Sequence, residues 1–196
     1  MSRNPASKTN RLVGTAILAG VIVVLQIIAT YIKFGPFSIT LALVPIVVGA
    51  AIYGAGAGAL FGGIFGVVVL IGCIGGADAG GNILWNVNPA LTAFLCIFKG
   101  AAAGWVSGLV YSAFSRRNTY AGVFSAAVVC PIVNTGIFIA AMMLLFRDTL
   151  IQWAGDTSVV YYAFIGLTGV NFLLEFAVNI VLSSAVVRII NTVARR

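Results

Sequence analysis

Uncharged apolar runs fill this chain almost from end to end, and the few polar residues that interrupt them mark where each run starts and stops. The first run covers 12–32, about 21 residues, with Gln26 as its one strongly polar member. Lys33, Phe34, Gly35 and Pro36 end it, because glycine and proline both break a helix. The next uncharged stretch, 37–71, would be about 52 Å long as a single helix, against a hydrocarbon core of about 30 Å. It must therefore fold back, and Tyr53-Gly54-Ala55-Gly56 is the natural turn. Two shorter spans result, 38–52 and 57–71, with Pro45 expected to kink the first.

Residues 72–88, GCIGGADAGGNILWNVN, read as a glycine-rich external loop. A fourth span, 89–114, opens on Pro89, a favourable first-turn proline. Ser115-Arg116-Arg117-Asn118 makes a basic turn into a fifth span, 120–146, which contains Pro131. Residues 147–158 form a second external loop, with Trp153, Tyr161 and Tyr162 at interfacial positions. A sixth span, 160–190, is long enough to tilt. The expected fold is all-α and integral to a membrane: one domain, 1–196, built as a six-transmembrane-helix bundle.

Composition agrees with that class. The chain of 196 residues is 61% hydrophobic and 8% charged, with a mean hydropathy of +1.13. The charge of +7, from 11 Lys+Arg against 4 Asp+Glu, reports orientation, because the basic residues sit at the ends of the apolar runs. Arg3, Lys8, Arg11, Arg116, Arg117, Arg188, Arg195 and Arg196 fall on one side, and only Lys33 and Arg147 on the other. The positive-inside rule then places both termini in the cytoplasm. The N-terminal run is too long for a signal-peptide core and no A-x-A site follows it, so it reads as a retained span. No basic stripe with interleaved aromatics is present, which argues against nucleic-acid binding.

Histidine is absent. That removes Ser-His hydrolysis, His-ligated haem and zinc-protease motifs together. Cys73, Cys96 and Cys130 are scattered, without CxxC spacing, so they suggest neither a disulfide framework nor a metal site and read as small packing residues. No glycine pattern ends in Gly-Lys-Ser/Thr, so the chain is not expected to hydrolyse ATP itself.

The candidate chemistry lies in the polar residues within the spans. Lys99, Asn134 and Glu175 are costly in hydrocarbon unless they face protein or a wet cavity. Counting along the helices brings all three to a similar depth, near or outside the midplane. Asn171, Glu175 and Asn179 follow i, i+4, i+8 and share one helix face, as do Thr92, Cys96 and Lys99. Two readings stand. Lys99 and Glu175 could pair and merely brace the bundle, or Lys99 could meet an anionic or carbonyl group of a solute that the amides orient. Gln26 joins the candidate solute contacts. So do Asn82 and Trp85 of the first external loop, which with Asn86 and Asn88 is a candidate lid. Small residues recur at four-residue spacing: Ala16 and Gly20; Gly54, Gly58, Gly62 and Gly66; Gly100, Gly104 and Gly108. Such spacing lets helix backbones approach closely.

Taken in order, several segments resemble the substrate-binding S-components of energy-coupling factor (ECF) vitamin importers. They are the basic lead into TAILAG (15–20), FGPFSITLALVPIVVGAAIYG (34–54), GAGALFGGIFG (56–66) and CPIVNTGIF (130–138). The pattern departs from the family at Gly54-Ala55, where Gly-Pro is common. The resemblance implies a vitamin or related micronutrient bound from outside, within spans four to six and under the loops after spans one and three. It implies docking of Ala16, Ala19 and Gly20 on a membrane coupling subunit, and two separate ATPase subunits that hydrolyse the ATP, so that the chain needs no cofactor and is not an enzyme. A bacterial-type plasma membrane is the implied location. The sequence type is most similar to riboflavin and pantothenate members. Lys99 suits the pantothenate carboxylate; Trp85, Tyr161 and Tyr162 suit stacking on a flavin. Queuosine-precursor and cobalamin-type solutes are further alternatives, and a self-sufficient small permease or channel is the alternative function.

Overall fold

The computed structural model describes residues 5–32, 37–38 and 40–194, with side chains from 9 to 190 among them. Arg3, the Lys33–Pro36 stop, Arg195 and Arg196 lie outside the described residues, as does the Lys8 side chain. The described chain is helical, with no strand among those residues: α1 (Pro5–Thr30), α2 (Leu43–Tyr53), α3 (Ala55–Ile74), α4 (Ala79–Val87), α5 (Pro89–Phe114), α6 (Thr119–Leu144), α7 (Arg147–Ala154), α8 (Val159–Tyr161) and α9 (Gly169–Ala194), with a π-helical stretch, Tyr162–Leu167, between the last two. Among the described residues five helices are long and apolar enough to cross a membrane: α1, α3, α5, α6 and α9.

The second expected span is shorter than its apolar run. Only 11 residues are helical in α2, about 16 Å of rise, which is half a bilayer core. Pro45 does not kink this helix. It sits in the first turn, where a missing N–H costs nothing. Gly54, at φ +94°, makes the expected reversal into α3. A residue with a Cβ is strained there. Both expected loops contain helices. Asp78 caps α4 by accepting a bond from the Gly81 N–H at 2.8 Å, and α7 occupies most of the second loop. The sixth span is interrupted at Tyr162–Leu167, where the Thr168 hydroxyl donates to the Ala163 carbonyl at 3.1 Å.

Short α2 is central. It touches α1, α3, α5, α6 and α9 and buries Leu43, Ile46, Val47, Val48 and Ala50. Its side chains join Ile22, Phe61, Phe65, Ala103, Ala126 and Cys130 in one core cluster. A second cluster gathers Leu84, Leu95, Met142, Phe146, Leu150 and Leu167 under α4 and α7.

The most extensive helix pair is α3 on α5, and the glycine repeats meet there. A Cβ on Gly58 would strike the Gly104 carbonyl, one on Gly62 the Gly100 carbonyl, and one on Gly66 the Cys96 carbonyl. The reverse holds for Gly100 and Gly104, which face Gly62 and Gly58. The backbones pack directly on one another, and this fixes the position of α5 against α3.

Candidate functional site

A cavity, open at one side, lies at the level where the polar residues cluster. Each wall follows from local structure. The face of α5 brings Thr92, Cys96 and Lys99 to it, α6 brings Asn134, Thr135 and Phe138, and α9 brings Asn171, Phe172 and Glu175. Gln26 enters from α1, Val69 and Cys73 from α3, and Asp78, Gly81 and Leu84 from α4 and its cap.

Before α2, Phe37, Ser38 and Thr40 complete the wall. Asp78 anchors it: its Oδ2 accepts from the Ser38 N–H at 3.0 Å and from the Ser38 hydroxyl at 2.9 Å. The Asn171 amide holds the same segment, donating to the Phe37 carbonyl at 3.2 Å. The Phe37 ring packs edge-on against Phe138, centroids 4.9 Å apart, and against Trp153 at 6.0 Å.

Five of the eight expected solute contacts line this space: Gln26, Lys99, Asn134, Asn171 and Glu175. The other three do not. Asn179 is buried beyond the cavity, its amide donating to the Glu175 carbonyl at 2.8 Å. Its stripe leaves the cavity because the face continues along the helix while the cavity does not. Asn82 and Trp85 are absent from the lining, to which α4 and its cap give Asp78, Gly81 and Leu84. The Asn82 amide instead donates to the Cys73 carbonyl at 2.8 Å, and Asn88 caps α5 by accepting from the Leu91 N–H at 3.0 Å. Tyr161 and Tyr162 are likewise outside the lining.

The bracing ion pair does not form. Among the described residues no carboxylate is within ion-pair reach of Lys99. Its ammonium stands over the Phe65 and Phe138 rings, 5.4 and 5.8 Å from their centroids. Ring faces stabilise a cation while leaving its N–H donors free. Glu175 is buried with Thr40 beside it.

Three amides have a matching deficit. Among the described residues Gln26 Oε1, Asn134 Oδ1 and Asn171 Oδ1 are buried acceptors with no hydrogen-bond partner, as is Asn179 Oδ1 beyond the cavity. A buried, unpaired acceptor costs about 1–3 kcal/mol. Three of these four oxygens belong to residues that line the cavity, so its wall keeps unused hydrogen-bonding capacity. The cavity thus offers one cationic donor, one buried carboxyl, several acceptors and aromatic faces from Phe37, Phe138 and Phe172.

Sequence reasoning did not find Phe37, Ser38, Thr40, Asp78, Phe138 or Phe172. The Thr92–Lys99 face already pointed to Cys96. For Asp78 the available signal was its place just before AGGNILWNV, as a helix cap.

The expected docking residues lie on α1. Ala16 and Gly20 are exposed and Ala19 half-buried, and a Cβ on Gly20 would meet nothing within 4 Å.

Comparison with known proteins adds a family. Residues 10–190 match the family model described as ECF transporter, substrate-specific component. No curated protein matches the chain.

Proposed function

The chain belongs to the substrate-specific components of ECF transporters, and from that membership we propose that its cavity binds a carboxylate-bearing, donor-rich micronutrient of the pantothenate type. The family comprises substrate-binding subunits of transporters rather than enzymes, and membership together with the five long apolar helices makes this a multi-pass membrane protein.

The observation that carries the solute reading is the pairing of a free cation with three orphan acceptors around one hollow. Lys99 meets the carboxylate. Gln26, Asn134 and Asn171 accept hydrogen bonds from hydroxyl and amide groups, and the lining phenylalanines cover the apolar remainder. Phe37, Phe138 and Phe172 also favour a second reading, a flat riboflavin-type ring stacked against them. Trp85, Tyr161 and Tyr162 give that reading no support, since they lie outside the lining.

The wider assembly is proposed on the same footing. All 196 residues act as one unit whose six apolar segments, α2 and the apolar residues before it counted as one, put both termini in the cytoplasm of a bacterial-type plasma membrane. A membrane coupling subunit docks on the exposed Ala16–Gly20 face, and two ATPase subunits hydrolyse the ATP, so the chain itself carries no cofactor.

Titration of the purified protein with pantothenate and with riboflavin, separately, tests the solute reading. One molecule of pantothenate bound per chain is expected; no binding of either overturns it. Uptake into vesicles lacking ATPase subunits would favour the self-sufficient permease instead. Replacing Ala16 and Gly20 with leucine is expected to abolish uptake and leave solute affinity within twofold, as measured by transport and titration on the same variant.

A further inference from the structure

Two of the three cysteines stand together in the cavity wall. Cys73 Sγ of α3 and Cys96 Sγ of α5 are 4.0 Å apart. Both are free thiols and both are buried within the protein, yet both line the cavity. The surroundings make room for them. A side chain on Gly81 would collide with the Cys73 sulfur, and one on Gly66 with the Cys96 carbonyl. Glycine at 81 lets α4 settle over Cys73, and glycine at 66 brings α3 against the backbone of Cys96. Nothing in the solute reading uses these thiols, and the pair stands one helical turn from Lys99.

We propose that Cys73 and Cys96 are a reversible oxidation site, a dithiol that a peroxide reaching the cavity converts to a disulfide joining α3 to α5. A thiolate of one cysteine attacks a peroxide oxygen. The O–O bond breaks, and the sulfur becomes a sulfenic acid while the other oxygen leaves as water. The second sulfur attacks the sulfenic sulfur, the S–O bond breaks, and a second water leaves as the S–S bond forms. Two thiols and one hydrogen peroxide give one disulfide and two waters; the sulfurs are oxidised by two electrons and the peroxide is reduced by two. Closure takes the sulfurs from 4.0 Å to a bond of about 2.05 Å, by rotation of the two side chains and whatever small shift of α3 against α5 the bridge requires. Cys130 is also buried but lies outside the cavity lining and serves as an internal control.

The test treats the solute-free protein in detergent with hydrogen peroxide, then alkylates it under denaturing conditions and measures intact and peptide masses. The expected result is the loss of two of the three alkylatable thiols, a cross-linked peptide pair containing Cys73 and Cys96, and full recovery with dithiothreitol. Cys130→Ser should behave like the unaltered chain, and Cys73→Ser or Cys96→Ser should yield no intramolecular bridge. Because the unaltered chain alone decides the outcome, a poorly folding variant does not. Three thiols still alkylatable after peroxide, separate sulfinic acids without a bridge, or a bridge only between two copies would each overturn the proposal. Solute affinity is not part of this readout, so the failure of either proposal is visible without the other.

Discussion

The two ends of α5 do opposite things. From Gly100 to Gly108 the helix meets α3 by lacking side chains: the Gly62 and Gly58 carbonyls fill the space that a Cβ on Gly100 or Gly104 would take, and Ala55 fills it at Gly108. From Thr92 to Lys99 it turns outward-reaching side chains into a hollow where nearby acceptors have no partner. One half is closed and satisfied; the other is open and unsatisfied. The contrast separates what holds the bundle from what the bundle holds: the seam sets the helix positions, and the cavity keeps unspent hydrogen-bonding capacity. Changes in the seam should therefore appear as lost stability, and changes in the cavity as lost affinity.

The largest effect is expected at Gly62. Gly62→Leu drives a side chain into the Gly100 backbone, which has no flexible tip to yield. Overpacking typically costs about 1–3 kcal/mol, and a rigid backbone neighbour puts this case at or above the upper end. Thermal unfolding in detergent should show a collapse of stability or no folded protein. Gly63→Ala is the control, since a Cβ there meets nothing within 4 Å, and its stability should be unchanged or raised by up to about 1 kcal/mol, as for Gly-to-Ala inside a helix.

Next comes Lys99→Ala. Loss of a charge-assisted hydrogen bond, about 1.5–3 kcal/mol, predicts roughly 10- to 100-fold weaker solute binding, with the melting temperature little changed. A large fall in stability with affinity intact would reverse the assignment of the two halves.

Asn134→Leu sharpens the comparison because its two readouts should move in opposite directions. Removing a buried acceptor that has no partner relieves a cost of about 1–3 kcal/mol in the solute-free protein. Thermal stability without solute should rise while affinity falls about tenfold. The smallest effect is expected for Trp85→Ala, which lies outside the lining; titration should show affinity changed by less than twofold.

Much of this was legible in the sequence where a local rule governs. The turn at Gly54, the start at Pro89 and the break at 115–118 follow from glycine, proline and charge punctuating apolar runs. Helical spacing alone put Thr92, Cys96 and Lys99 on one face, and Asn171 with Glu175 on another. Depth was less legible, because periodicity says which face a residue occupies and not where a cavity ends. Asn179 shares its face with Glu175 and is nonetheless beyond the hollow. The helix inside the first loop is hidden by its length of 9 residues, too short to show a clear apolar period, so the sequence offers Asn82 and Trp85 as lid and solute contacts while the cavity lining takes Asp78, Gly81 and Leu84. The wall at Phe37 and Ser38 depends on contacts between distant positions, Ser38 with Asp78 and Phe37 with Asn171, which no local pattern encodes.

The most direct test of the cavity as a solute site is native mass spectrometry of the protein purified from its own membranes, in parallel with Lys99→Ala. One small molecule carried per chain by the unaltered protein, and absent from a folded Lys99→Ala variant, is the predicted result. Equal occupancy in both, or an empty unaltered protein that also fails to take up any added micronutrient, would contradict the account.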